Sequence, residues 1–296
     1  MTDHRFVAEV PDLREPVLVV MLTGWIDASG AAAAAMTALE AECDATPLAA
    51  FDDDVFIDYR ARRPVLELRN GVNTRLVWST PQLKLGRDPH GHDVLLLSGP
   101  EPDMSWRRFT GVIGDLAGQL GVVRMAALGA YPFAAPHTRP PRLTATSPSA
   151  DVLAELPFRL TSIDVPAGMS AALEWELQER GIPSVGVWAQ VPHYVASMAY
   201  PAASVALLEG LATTAGISID AVELRQEAEQ QRQRLDQLVA TNEEHQAMVT
   251  QFERMYDATE EASDVDTAGV DGGLEMRTGD ELAAEVERFL REQGKS

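Results

Sequence analysis

The chain is 296 residues long and 46% hydrophobic, with a net charge of −21; that is apolar material for one large domain or two small ones, and a charge balance that argues against nucleic acid or anionic lipid as a partner. No apolar run reaches the ~18 residues of a membrane span, and the charged opening MTDHRFVAEVPDLREP has no apolar signal-peptide core. The single cysteine, Cys43, permits neither an internal disulfide nor a cysteine zinc site, so a reducing cytoplasm is the expected setting.

Residues 17–22 read VLVVML, the composition of a strand buried on both faces. Gly24-Trp25-Ile26-Asp27 follows as a turn, and alanine-rich residues 28–40 form a helix that Asp27 or Ser29 can cap. Asp52, Asp53 and Asp54 make a solvated acidic loop. Residues 55–60 then read as a strand, and Asn70-Gly71 predicts a two-residue hairpin between 66–68 and 74–78. Residues 81–92 read as a loop because of Gly86, Pro89 and Gly91. Residues 93–98 form a second buried strand, and 106–120 a helix stopped by Gly121. Strands are expected at 122–128, 142–146 and 185–190, with a short helix or turn at 151–160 and helices at 168–180 and 201–214. This alternation predicts an α/β domain, a mostly parallel central sheet with helices on both faces.

From residue 220 to 256 the chain turns Glu/Gln/Arg-rich. Apolar positions at 3-4 spacing, with Asn242 and His245 in the middle, suggest one long helix with a heptad seam. Residues 217–296 hold 20 acidic and 8 basic side chains, so the acidic excess is concentrated there. The expected organisation is a core domain at 1–216, a long helical extension at 217–256, an acidic flexible linker at 257–279 and a short amphipathic helix within 280–296.

The chemistry-bearing candidates are few. The opening turn has no GxGxxG or GxxxxGK[ST] pattern, and Asp27 would repel a phosphate, so a self-capped turn is expected. His137 and His193 each follow a strand and a proline and can meet at one sheet edge. With Asp27 or Glu101 they could serve as acid and base, together they could hold a metal, or each could simply orient its own loop, which is the expectation. His90 and His92 read as incidental. No GxSxG surrounds Ser29 or Ser105, and Cys43, among Glu40, Glu42 and Asp44, reads as a packing residue. Arg60, Arg62, Arg63 and Arg139 can gather around an acidic group or pair with internal carboxylates. Trp25, in a turn, either plugs the domain or anchors an interface. No catalytic residue, cofactor or metal ligand is assigned.

Five stretches together resemble the proteasome assembly chaperone family, in its bacterial and archaeal branch. They are Gly24-Trp25-Ile26-Asp27-Ala28, Tyr59-Arg60-x-Arg62-Arg63-Pro64, Gly99-Pro100-Glu101-Pro102, Pro136-His137-Thr138-Arg139-Pro140 and Val191-Pro192-His193-Tyr194. The likeness covers about residues 5–215, and the helical acidic tail is similar to that of actinobacterial members; Ser29 stands where the family often has glycine. The resemblance implies a three-layer α/β/α domain similar to phosphorylase/hydrolase-like folds. It also implies a non-enzymatic cytoplasmic chaperone that self-associates as a dimer or trimer and contacts proteasome subunits, as eukaryotic members do when they guide α-subunits into the ring. The alternative is a small-ligand binder or hydrolase-like enzyme, its pocket at the carboxyl ends of the strands lined by Gly24, Trp25, Asp27, Glu101, His137, Arg139 and His193.

Overall fold

The computed structural model describes residues 3–265. Ten strands are formed among the described residues: β1 (His4–Phe6), β2 (Val17–Thr23), β3 (Thr46–Phe51), β4 (Val65–Arg69), β5 (Val72–Val77), β6 (Gln82–Arg87), β7 (Asp93–Pro100), β8 (Arg124–Phe133), β9 (Leu143–Thr146) and β10 (Ser184–Pro192). The helices are α1 (Ala31–Glu42), α2 (Asp53–Phe56), α3 (Trp106–Leu120), α4 (Ala150–Ala154), α5 (Met169–Glu179), α6 (Pro201–Ala215), α7 (Val222–Ala240) and α8 (Glu243–Val265).

Eight strands form one sheet in the order β1-β3-β6-β7-β2-β8-β10-β9, and β4 and β5 form a separate two-stranded ribbon. The centre, β7-β2-β8-β10, is parallel throughout, while β6 and β9 flank it antiparallel. Because β3 is antiparallel to β6, it runs with the central strands, so the sheet is mixed with most strands in one direction.

Strand β2 shows why the fold has three layers. Successive side chains on a strand point to opposite faces. Val17, Val19 and Met21 enter one core with α1, α6 and Leu235 of α7; Leu18, Val20 and Leu22 enter the other with Phe109, Ile113 and Leu116 of α3 and Leu173 and Leu177 of α5. The alanines of α1 let its backbone approach α6, where the Ser204 hydroxyl donates to the Ala31 carbonyl at 2.9 Å.

Three local expectations are corrected. Residues 55–60 are not a strand: Asp53 and Asp54 lie in the first turn of α2, where carboxylates favour helix, and Phe56 is fully buried beside Phe109. Residues 82–87 are strand rather than loop. Gly86 serves close backbone approach, since a Cβ there would lie 2.5 Å from the Cys43 carbonyl. The long helix is two helices, because the Asn242 side chain accepts from the N–H groups of Glu244 and His245 (2.9 and 3.2 Å) and starts α8 as a cap. The predicted hairpin forms as expected, with Asn70 and Gly71 at φ +52° and +81°.

The chain divides into two compact units, Met1–Arg254 and Met255–Ser296. The first holds both sheets and α7, and the acidic segment expected as linker is helical through Val265. The remainder of that segment and the amphipathic helix expected within 280–296 lie outside the described residues. Among the described residues no helix is long and apolar enough to cross a membrane.

Candidate functional site

Strands β2, β7, β8 and β10 end on one side of the sheet, and the loops leaving them carry Gly24, Trp25, Asp27, Glu101, His137, Arg139 and His193. The structure sorts those residues into three local arrangements.

The first surrounds the start of α5. Glu101 Oε2 accepts from the Met169 N–H at 3.1 Å, placing a carboxylate at a helix N-terminus. Gly24, at φ +136°, sits against it: a Cβ there would lie 2.7 Å from Glu101 Cγ and 2.9 Å from an Arg62 nitrogen. Arg62 pairs with Asp103 at 2.8 Å, and Asp103 also accepts from the Asp58 N–H. Trp25 lies across Gly168, the residue before α5, and remains 44% exposed. Gly24→Ala combines a disfavoured φ with this clash, so it is expected to destabilise by about 1–3 kcal/mol. Thermal melting checks this, and an unchanged midpoint would refute the tight-turn account.

The second arrangement is the cap of α1. Asp27 Oδ1 and Oδ2 accept from the N–H groups of Ala32 (2.9 Å) and Ala33 (3.1 Å). Burial pushes the Asp27 carboxyl up, and those N–H groups pull it back. Ser29 does not cap; its hydroxyl donates to the Ala28 carbonyl at 2.6 Å. The free N–H groups that could hold an anion are therefore occupied by Asp27.

The third arrangement joins β8, β10 and the helices that follow. His137 is 4% exposed. Its backbone N–H donates to the Tyr194 hydroxyl at 2.8 Å, and its Nδ1 lies 2.7 Å from the same oxygen. Its Nε2 is 3.3 Å from Asp236 Oδ1 on α7, a close approach without hydrogen-bond geometry. Burial lowers the His137 pKa against the pull of Asp236, which keeps the ring neutral. The neutral tautomer that suits both ends accepts the Tyr194 proton at Nδ1 and carries its own proton on Nε2. His193 meets Tyr194 and Phe252 edge-on, at centroid distances of 5.6 and 5.4 Å, and Tyr194 stacks on Phe252. Glu253 accepts from the Thr138 hydroxyl at 2.5 Å and from Arg139 at 3.3 Å. Both histidines thus reach one tyrosine; His137 is buried against Asp236 of α7, whereas His193 touches Phe252 of α8 and stays exposed.

The four arginines do not gather: Arg62 pairs beside β7, whereas Arg139 pairs with α8. Cys43 is buried, and its thiol is pushed up to about 12 by burial and then by Asp88, Glu42 and Asp44. Among the described residues no group of three or more His, Cys, Asp or Glu is placed to hold a metal ion. Sequence reasoning missed Asp236, Phe252 and Glu253 as site residues. The 3-4 spacing through Val249 and Phe252 was their signal, but it points inward to the loops rather than outward to a coiled-coil partner.

The solved structures include close relatives of this chain. A Mycobacterium tuberculosis protein of unknown function is 34% identical, with 90% of this chain and 92% of that one covered at a TM-score of 0.80. A Corynebacterium glutamicum protein of unknown function is 32% identical, with 88% and 98% covered at 0.81. A Mycobacterium tuberculosis proteasome-assembly chaperone homologue is 30% identical, with 80% and 99% covered at 0.73. A search of the curated proteins returned no match. Residues 21–239 match the PAC2 family, and that span contains the strand-end loops just described, so this chain belongs to the PAC2 family.

Proposed function

We propose that this protein is a non-enzymatic assembly factor that works through protein–protein contacts, with proteasome subunits as partners, and that it self-associates. The observation that carries this reading is the chemistry of the strand-end surface. Its polar candidates are engaged: Asp27 in a helix cap, Glu101 at α5, His137 with Tyr194, and Arg139 with Glu253. Its apolar side chains are not. Trp25 (44%), Ile26 (39%), Ile163 (52%), Val165 (63%) and Met198 (47%) are all exposed. Their loops adjoin, since Trp25 covers Gly168 and the Ser29 N–H donates to the Ala196 carbonyl. Apolar side chains around satisfied polar groups suit a protein partner better than a reacting substrate. The relative at 30% identity carries the name of a proteasome-assembly chaperone homologue, which supports the choice of partner.

The test is capture of the source organism's 20S subunits on the full chain, read by mass spectrometry. The subunits are expected to co-purify, and Trp25→Ala should reduce recovery about 30-fold, as loss of a central aromatic anchor does. Recovery of no proteasome subunit by the natural chain would sink the reading.

A further inference from the structure

The ribbon of β4 and β5 is the least explained part of the molecule. An isolated two-stranded hairpin is marginal in water unless something covers it. This one leaves large apolar side chains exposed: Val65 64%, Leu66 45%, Leu68 53%, Val72 62%, Leu76 44% and the adjoining Trp78 47%. Leu66 lies opposite Leu76 and Val65 opposite Val77, and neighbouring pairs point to opposite faces. Both faces of the ribbon are therefore partly apolar, and most of their side chains are exposed.

Charge indicates what covers it. Residues 60–80 hold five arginines and one carboxylate, Glu67, in a chain whose net charge is −21. Arg69 and Arg75 stand exposed on the ribbon itself. An acidic concavity lies at the ribbon's base, an open cleft of about 450 Å³ whose lining includes Asp52, Asp53, Asp54, His4, Arg5, Tyr59 and Trp78. Tyr59 and Trp78 meet edge-on there at 4.6 Å, giving the cleft an aromatic wall beside its carboxylates. Burial, and then the charges of Asp52 and Asp54, push the Asp53 carboxyl up to about 6. That crowding is relieved by an added cation, and aromatic faces with carboxylates suit a guanidinium. The same chain thus carries a cationic apolar arm and an anionic aromatic cleft.

We infer that the β4–β5 ribbon is the self-association arm of this protein, docking its leucines and arginines against the Asp52–Asp54 cleft of a second copy. The inference rests on the self-association reading above and names its interface. Charge opposition sets which surfaces meet, and burial of the leucine and valine faces supplies the attraction.

Sedimentation velocity of the full chain over a concentration series tests it. The natural chain should assemble at low salt and weaken at high salt, as an interface between opposite charges does. Leu66→Asp/Leu76→Asp should weaken association about 30-fold or more, with an unchanged melting transition, since neither leucine belongs to either core. Arg69→Glu/Arg75→Glu should also dissociate the chain, and mixing it with Asp52→Arg/Asp54→Arg should restore a mixed assembly. A monomeric natural chain would remove both this inference and self-association. A natural chain that assembles while the leucine variant assembles equally well would overturn the inference alone. Failure of the charge-swapped pair to recover would overturn the acidic cleft as the acceptor.

Discussion

Glu174→Gln is expected to hold its stability as pH rises through the range where the natural chain loses it. Glu174 is 4% exposed on α5 and faces Thr146 of β9 and Trp188 and Gly186 of β10. The Thr146 hydroxyl donates to both carboxylate oxygens, at 3.3 and 3.2 Å, and also accepts from the Trp188 indole. No ion pair to Glu174 exists among the described residues. Burial pushes its carboxyl up from 4.5 to about 8, with Thr146 pulling weakly the other way. The folded chain therefore keeps a proton that the unfolded chain releases. Stability is full below pH 4.5 and falls as pH rises towards about 8, by about 1.4 kcal/mol per pH unit at the steepest. Glutamine retains the hydrogen-bonding shape without an ionisable proton, so the gap between the two proteins should widen across that window. Melting midpoints measured across pH check this. Parallel curves would show that Glu174 is not the group responsible.

Ending the chain after Gly216 is expected to unfold it or to abolish its cooperative melting. By composition the segment from residue 217 reads as an appendage. In the structure, Ile217, Ile219, Ala221 and Leu235 are buried in the same core as α1 and α6, and Val249 is buried as well. Ala221 and Asp220 are tied to α1 through Glu42, whose carboxylate accepts both N–H groups, at 2.7 and 2.9 Å. Removing the burial of four large aliphatic side chains, at about 1.5 kcal/mol or more each, forfeits roughly 6 kcal/mol and leaves the core surface they covered open to water. That is comparable to the whole stability of a typical domain, about 5–15 kcal/mol. The truncation would also uncover His137 and Tyr194, which α7 and α8 now shield. Denaturant or calorimetric unfolding is the measurement. A truncated chain that melts cooperatively within a few degrees of the full chain would return α7 and α8 to the status of an appendage.

Much of the fold was legible because it is written in short-range rules. The short apolar runs at β2, β7, β8 and β10 have the composition of strands buried on both faces. Gly121 and Gly181 stop α3 and α5 at positive φ, and Asn70-Gly71 closes the ribbon. Where a residue's role depends on a distant neighbour, the reading failed. Gly86 looks like a loop breaker until the Cys43 carbonyl is seen lying over it. Asn242 looks like a polar seam residue until its side chain is found capping α8.

The site divides along the same line. That Gly24, Trp25, Asp27, Glu101, His137, Arg139 and His193 lie at one end of the sheet follows from the parallel direction that the β-α alternation predicts, together with the strand order that only the structure supplies. What they do there does not follow. Whether a histidine is a base or a strut depends on the partner at its far nitrogen, and for His137 those partners, Tyr194 and Asp236, lie 57 and 99 positions along the chain. Likewise a leucine in a hairpin reads the same whether it is covered or bare, and only the folded body leaves Leu66 and Leu76 in solvent. Local propensity and hydrophobic periodicity thus determined the elements and the layers. Contacts between residues far apart in the chain, which only close packing creates, decided which polar groups are engaged and which apolar surfaces remain open to a partner.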